Sequence, residues 1–180
     1  MKSIVKKKKS TFNFKIYNNK KRKFLFFIAF FILLYFVNNY LFFKAYVPTG
    51  SMKPTIVEED VLLVSKIFSH VRRGDIFVFS HESSKELLIK RVIGLPGETI
   101  TLKNGNIYIN GKLLNEPYVK NNEILDRTFN VPEDHYLFFG DNRISSFDAR
   151  KWDNPYVHKK NLDGKAFFTL SSCKRFGFLS

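Results

Sequence analysis

Twenty consecutive residues without a charge, Phe24 to Phe43 (FLFFIAFFILLYFVNNYLFF), constrain this chain more than any other feature. As an α-helix such a run measures ~30 Å, the thickness of a bilayer's hydrocarbon core. Asn38 and Asn39 weaken its last turns, so the deepest apolar stretch is Phe24 to Val37. Lys20, Lys21, Arg22 and Lys23 stand directly before it, and only Lys44 directly after. The positive-inside rule then predicts a cytoplasmic amino terminus and an outer position for residues 44–180. A cleaved leader has an apolar core of only ~7–15 residues and ends at a small-x-small site. The nearest such stretch, Ala45-Tyr46-Val47, runs into Pro48. The reading is therefore an uncleaved signal anchor, residues 24–43, with a single span.

The net charge of +14 points to nucleic acid until its distribution is considered. Residues 1–23 hold ten Lys or Arg and no acid, leaving 20 basic and 16 acidic residues in the remainder. The excess belongs to a basic cytoplasmic tail, and topology explains it better than phosphate contacts do. With no recognition motif present, a nucleic-acid partner is not expected. Cys173 is the only cysteine, which excludes an internal disulfide and a cysteine-rich metal site.

Residues 44–180 read as one domain of strands and turns. DVLLVSK and GDIFVFS are short runs rich in β-branched and aromatic residues, separated by a polar connection holding Arg72, Arg73 and Gly74. In TITLKNGNIYINGK, Asn104-Gly105 between two apolar runs is a strong hairpin signal, and Asn110-Gly111 marks the next turn. HYLFFGDNR and GKAFFTL add two more strands, while residues 112–130 are polar and irregular. No amphipathic window of helix length lies beyond the apolar run, so the domain is expected to be mainly antiparallel β.

Three segments hold residues suited to chemistry. Ser51, in YVPTGSMKPT, needs a base to become a nucleophile. The four histidines, His70, His81, His135 and His158, all sit in polar or turn-like stretches and read as surface residues. Their spacing suggests no metal site. The other available base is a lysine made neutral by desolvation. Lys53 lies in a turn where water keeps it charged, and Lys174 follows Ser171 in a polar tail. Lys90 differs: in ELLIKRVIGLPGE it is flanked by apolar residues, with Leu88 and Val92 on its face of a strand. Local pattern also fits a lysine snorkelling at a sheet edge. The third segment, GDNRISSFDAR, packs two aspartates, two arginines and two serines into a loop suited to charge-assisted hydrogen bonds.

Taken in order, PTGSMKPT, IKRVIGLPGE and GDNRISSFDAR resemble the boxes of bacterial type I signal peptidases, with RRGDIFVF and VPEDHYLFF as lesser boxes. The likeness runs from about Val47 to Gly164 and includes the preceding anchor. It implies a membrane-bound serine endopeptidase with a Ser-Lys dyad, on a fold of antiparallel sheets forming a partly open barrel. By the resemblance Ser51 is the nucleophile and Lys90 the general base. The oxyanion hole comes from the Ser51 backbone N–H and the Thr49 hydroxyl. Ser146 orients the amine, Asp148 supports it, and Arg91, Asp141, Arg143 and Arg150 form the surrounding polar network. No cofactor or metal is implied. The implied partners are secreted preproteins cut after small-x-small sites, the lipid bilayer and the secretion translocon, at the bacterial cytoplasmic membrane. Residues 112–130 would be a reduced form of the family's accessory domain.

The chain departs from that pattern in places. Thr49 replaces a more usual serine, Ile144 and Ser145 stand where polar residues are common, and Ala149 replaces a serine. RKWDNPY lacks the glycine that often follows its aromatic residue. Two other readings stay open at this point: a Ser-Lys peptidase dedicated to one or a few substrates, and an inactive membrane-anchored binding module.

Overall fold

The structure, a computed structural model, describes residues 14–171 and 176–179. The first thirteen residues of the basic tail, Cys173 and Lys174 lie outside the described residues. The chain divides into two units, Met1–Asn39 and Tyr40–Ser180.

In the first unit, helix α1 spans Phe14–Phe36, and a π-helical stretch, Val37–Leu41, continues it. The segment Asn19–Leu41, 23 residues of mean hydropathy 2.1, is long and apolar enough to cross a membrane. Beyond Lys23, Leu, Ile, Phe and Ala without Pro or Gly carry the helix, and they leave that part apolar all round, as a lipid-facing helix is. Near its end the Asn39 side chain donates to the Tyr35 carbonyl at 2.8 Å, so that amide is satisfied locally. The helix thus starts inside the expected tail. It also stops short of Phe42 and Phe43, which the apolar run alone would place in the span.

Those two phenylalanines open the first of twelve strands among the described residues of the second unit: β1 Phe42–Tyr46, β2 Val61–Ser65, β3 Ile76–Phe79, β4 Leu88–Gly94, β5 Thr99–Lys103 and β6 Asn106–Ile109. Then come β7 Lys112–Leu113, β8 Arg127–Asn130, β9 His135–Phe139, β10 Tyr156–His158, β11 Leu162–Thr169 and β12 Gly177–Phe178. Phe42 pairs with Ser65 and Tyr46 with Val61, so β2 draws Phe42 and Phe43 out of the helix. The larger sheet has the order β1-β2-β11-β3-β4-β9-β10, with β12 alongside β11. Its end strands do not pair with each other, so it is open. The smaller sheet has the order β7-β6-β5-β8. Asn104 and Gly105 (φ 51° and 78°), like Asn110 and Gly111 (φ 49° and 80°), take the two positive φ values of tight hairpin turns. The ends of the stretch expected to be irregular, residues 112–130, are strands of this sheet; only residues 114–126 between them are irregular.

Two apolar clusters hold the domain. One centres on Phe77, Phe79, Ile93, Phe138, Phe139 and Trp152; the other contains Val47, Met52, Ile56, Leu62, Val64 and Val78. Strand β3 serves both. Ile76 and Val78 enter the second cluster, Phe77 and Phe79 the first, because successive side chains leave opposite faces of a strand. A strand covered on both faces shows a continuous apolar run, which is why IFVF has no polar alternation.

Candidate active site

The serine sits in a loop closed at its base. Val47 N–H donates to the Asp60 carbonyl at 3.0 Å, and Glu59 N–H donates to the Val47 carbonyl at 2.9 Å. Asp60 also accepts from Val57 N–H at 2.9 Å. Met52 and Ile56 anchor the loop in the second cluster, so YVPTGSMKPT is no flexible linker. Within it Lys53 pairs with Glu58 at 2.6 Å in a half-exposed setting, and is no candidate for a dry base.

Lys90 is. It lies on β4, an internal strand between β3 and β9, so the snorkelling alternative is excluded. It is 4% exposed and Ser51 7% exposed. Lys90 Nζ and Ser51 Oγ form a hydrogen bond of 2.7 Å. Burial pulls the amine's pKa from 10.5 down to about 8; Asp148 opposes this, Arg150 adds to it, and Asp141 opposes it more weakly. The penalty is that of keeping an ammonium out of water. The next residue, Arg91, leaves the other face of β4. A cleft of about 190 Å³ lined by Val47, Thr49, Met52 and Ile89 holds Ser51 and Lys90. A larger one of about 440 Å³, lined in part by Arg73, Asp75, Arg91, Tyr118 and Lys165, holds neither. Its cations are already engaged: Arg73 with Glu98, Arg91 with Asp141 and Lys165 with Asp75.

The loop Gly140–Arg150 holds the turn that carries Ser51. Asn142 N–H donates to the Ser51 carbonyl at 3.0 Å, and its side-chain amide donates to the Gly50 carbonyl at 3.2 Å. Asp148 accepts from Gly140 N–H at 2.9 Å and from the Arg150 guanidinium through both oxygens at 2.8 Å. Burial alone would raise the Asp148 carboxyl, but Arg150, helped by Ser146 and Gly140, holds it below its ordinary value. Asp141 accepts from Arg91 Nε at 2.9 Å and Nη2 at 2.7 Å, and from the Thr55 hydroxyl at 2.5 Å. Arg143 Nε donates to the Gly140 carbonyl at 3.0 Å. Gly140 itself has no room for a side chain, since a Cβ there would overlap Ser146 Oγ and the Ser51 carbonyl.

All nine residues singled out in the sequence thus fall in or beside one region. Thr49 is exposed and lines the cleft that holds Ser51 and Lys90. Ser146 is buried close to Gly140 and Asp148, and its hydroxyl makes no hydrogen bond of good geometry among the described residues; a bond to Lys90 is not formed in this state. The sequence reading missed Asn142, Gly140 and Thr55. Asn142 and Gly140 stood inside GDNR, and only the spatial neighbour of each reveals its part. One expectation is corrected: His81 is not a surface residue. It is buried, stacked on Trp152 at 4.1 Å and hydrogen-bonded to Ser83 at 2.7 Å, and burial lowers its pKa. Its polar sequence neighbours hid this. Among the described residues no cluster of His, Cys, Asp and Glu is arranged to hold a metal.

A serine hydroxyl against a dry amine is the pair needed for nucleophilic attack on a carbonyl, with the amine as proton acceptor. Comparison with known proteins shows the family. Residues 20–171 match the family model described as "Signal peptidase, peptidase S26". The chain is 37% identical over 145 residues to a probable signal peptidase I-2 of Synechocystis sp., covering 75% of this chain and 66% of that protein. It is 41% identical over 133 residues to signal peptidase I P of Bacillus subtilis subsp. natto, covering 66% and 72%. A crystal structure of a signal peptidase I from Enterococcus faecalis matches with a TM-score of 0.49 and 32% identity, covering 55% of this chain and 98% of that one. The chain belongs to the signal peptidase family, peptidase S26, whose members are serine peptidases.

Proposed function

We propose that this member of the signal peptidase family cuts leader peptides from exported preproteins with a Ser51–Lys90 dyad, held at the outer face of the cytoplasmic membrane by its apolar helix. The observation that carries the reading is the 2.7 Å contact between a buried amine and a buried hydroxyl. Neutral Lys90 takes the Ser51 proton as the oxygen attacks the scissile carbonyl, then delivers it to the leaving amine. The Ser51 backbone N–H and the Thr49 hydroxyl bind the developing oxyanion, each such donor being worth ~100- to 1000-fold in turnover. By the resemblance Ser146 orients the amine once its hydroxyl turns to it, Asp148 fixes the segment beside it through Gly140 and Arg150, and Arg91, Asp141, Arg143 and Arg150 keep the loop in place. The small cleft with walls from Val47, Met52 and Ile89 suits short side chains before the cut. The lysine- and arginine-rich flank before the helix orients the domain outward, beside substrates leaving the translocon. Sharing a bilayer raises the effective concentration of enzyme and cleavage site for each other.

The experiment is cleavage of a purified preprotein by the full chain in detergent, with the product's new amino terminus sequenced. A single cut after a small-x-small site is expected; no cut, where a related signal peptidase cuts, would reject the reading. Depletion in the cell separates a general peptidase, which leaves many precursors, from a dedicated one, which leaves one.

The pH dependence is set by the base. Lys90 works only when neutral, so kcat/KM should rise about tenfold per pH unit below a midpoint near 8 and level off above it. A midpoint that stays put in Asn substitutions of the four histidines supports the lysine. One that moves with a histidine would reassign the base.

A further inference from the structure

We propose that residues 114–126, the irregular segment between β7 and β8, are a clasp that positions the loop Gly140–Arg150, with Glu116 and Glu123 as its positioning residues. The inference rests on the Ser51–Lys90 reading and extends it to a segment that the sequence shows only as a polar excursion.

Three arginines, one on β4 and two in the loop Gly140–Arg150, are buried: Arg91 at 1%, Arg143 at 2% and Arg150 at 4% exposure. Each has an inner partner, namely Asp141, the Gly140 carbonyl and Asp148. Each also has an outer partner, and all three outer partners come from the one segment. Glu116 holds Arg143 by both oxygens, at 2.6 and 3.2 Å. Glu123 accepts from Arg150 Nη1 at 2.5 Å. The Tyr118 ring lies 4.0 Å from the Arg91 guanidinium, and its hydroxyl donates to Glu116 at 2.8 Å. Asn121 adds a longer contact of 3.4 Å to Asn142, the residue that holds the Ser51 carbonyl.

The charges explain why the segment is needed. Asp141 and Asp148 are two carboxylates for three buried guanidinium groups, so the inner set alone has an excess of positive charge beside an amine that must stay neutral. The two glutamates bring the acids to four, and Glu123 also pairs with Lys151 at 3.3 Å, so four carboxylates face four cations. The Glu116 side chain is 11% exposed and that of Glu123 30%, so Glu116 acts with less screening by water. A merely solvated loop would spread its acids outward; here they are spent on the two arginines that flank the catalytic serine's neighbours.

The test uses the full chain in detergent with Glu116→Gln and Glu123→Gln, which keep shape and lose charge. We expect kcat to fall about tenfold or more in Glu116→Gln with KM little changed, since misplacing catalytic groups by about 1 Å costs ~100-fold. In Glu123→Gln the pH midpoint of kcat/KM should move down. Arg150 disfavours the charged amine, and loss of its partner leaves its charge less neutralised; Asp141 and Asp148, which favour it, are untouched. Glu123→Asp should return the midpoint toward wild type. Wild-type kcat and an unmoved midpoint in both variants would overturn the clasp, as would a loss of activity explained wholly by KM or by the unfolded fraction. If Glu116→Gln fails to fold, the midpoint shift in Glu123→Gln decides. Lys90→Ala, run in parallel, separates the two proposals. If it is inactive while both glutamine variants match wild type, the clasp alone falls; if it is active, the dyad falls and the clasp with it.

Discussion

Lys90→Met is expected to abolish cleavage and, at the same time, to make the domain more stable. The loss comes from removing the amine hydrogen-bonded to Ser51, and on the order of a 10⁴-fold fall or more is typical when one member of such a unit goes. The gain comes from the same burial. Lowering the amine's pKa from 10.5 to about 8 costs roughly 3 kcal/mol of folding free energy at ~1.4 kcal/mol per unit. Methionine fills similar space without a charge to desolvate, so up to that amount returns, or about 5–10 °C in Tm for a domain of this size. The sign fixes the pH window. A lysine whose folded pKa lies below its unfolded value disfavours the fold fully below pH 8, and the penalty disappears as pH rises toward 10.5. The stability gap between Lys90→Met and wild type should therefore be widest at neutral pH and close in strong base. Thermal melts in detergent at pH 7 and pH 10.5, alongside preprotein cleavage, measure both effects. Retained cleavage would end the dyad mechanism, and a less stable variant at pH 7 would mean that the amine is better solvated than its surroundings indicate. Ser51→Ala should be equally inactive with little change in stability.

Asp141→Ala is expected to destabilise the domain by about 3–5 kcal/mol, because it leaves a charge buried without its counterion. Arg91 and Asp141 are 1% and 0% exposed and joined through two hydrogen bonds. After the substitution Arg91 still has the Gly74 carbonyl at 2.7 Å, the Thr55 hydroxyl at 3.3 Å and the Tyr118 ring, and none of these carries a negative charge. Thr55 loses the acceptor it holds at 2.5 Å. Activity should fall too, since Asp141 lies between Gly140 and Asn142 and both touch the nucleophile's turn. The urea midpoint of the full chain measures the loss. Replacing both partners, Arg91→Met with Asp141→Leu, should recover much of the stability but not the activity, because two apolar groups leave no unpaired charge. A midpoint unchanged in Asp141→Ala would show that water reaches the guanidinium.

Much of the fold was legible because its signals are local. Asn-Gly pairs between apolar runs mark hairpins by the φ values they tolerate, and both pairs form turns. Strands β2, β3, β9 and β11 appear where β-branched and aromatic runs predicted them. The same local reasoning misplaced Phe42 and Phe43, since apolar residues suit the end of a membrane helix and an edge strand alike; pairing with β2 decides between them. It also passed over His81, whose polar neighbours conceal the Trp152 ring, distant in the chain, that covers it.

Glu116, Tyr118 and Glu123 illustrate a second limit. Nothing in a polar stretch distinguishes an acid left in water from one clasped to a buried arginine 27 residues further on. Ser146 marks the opposite case: the motif made it visible, yet its hydroxyl stands without a good hydrogen bond in this state.

By itself the amino-acid order determined the membrane-length helix, its flanking charge, most of the strands and the three segments that could hold chemistry, because each depends on neighbours a few residues apart. The lowering of the Lys90 pKa was decided only by the tertiary structure. It depends on what surrounds the amine, and those surroundings are brought together from β4, the serine loop and Gly140–Arg150. An ordinary lysine becomes a base only where folding removes the water around it.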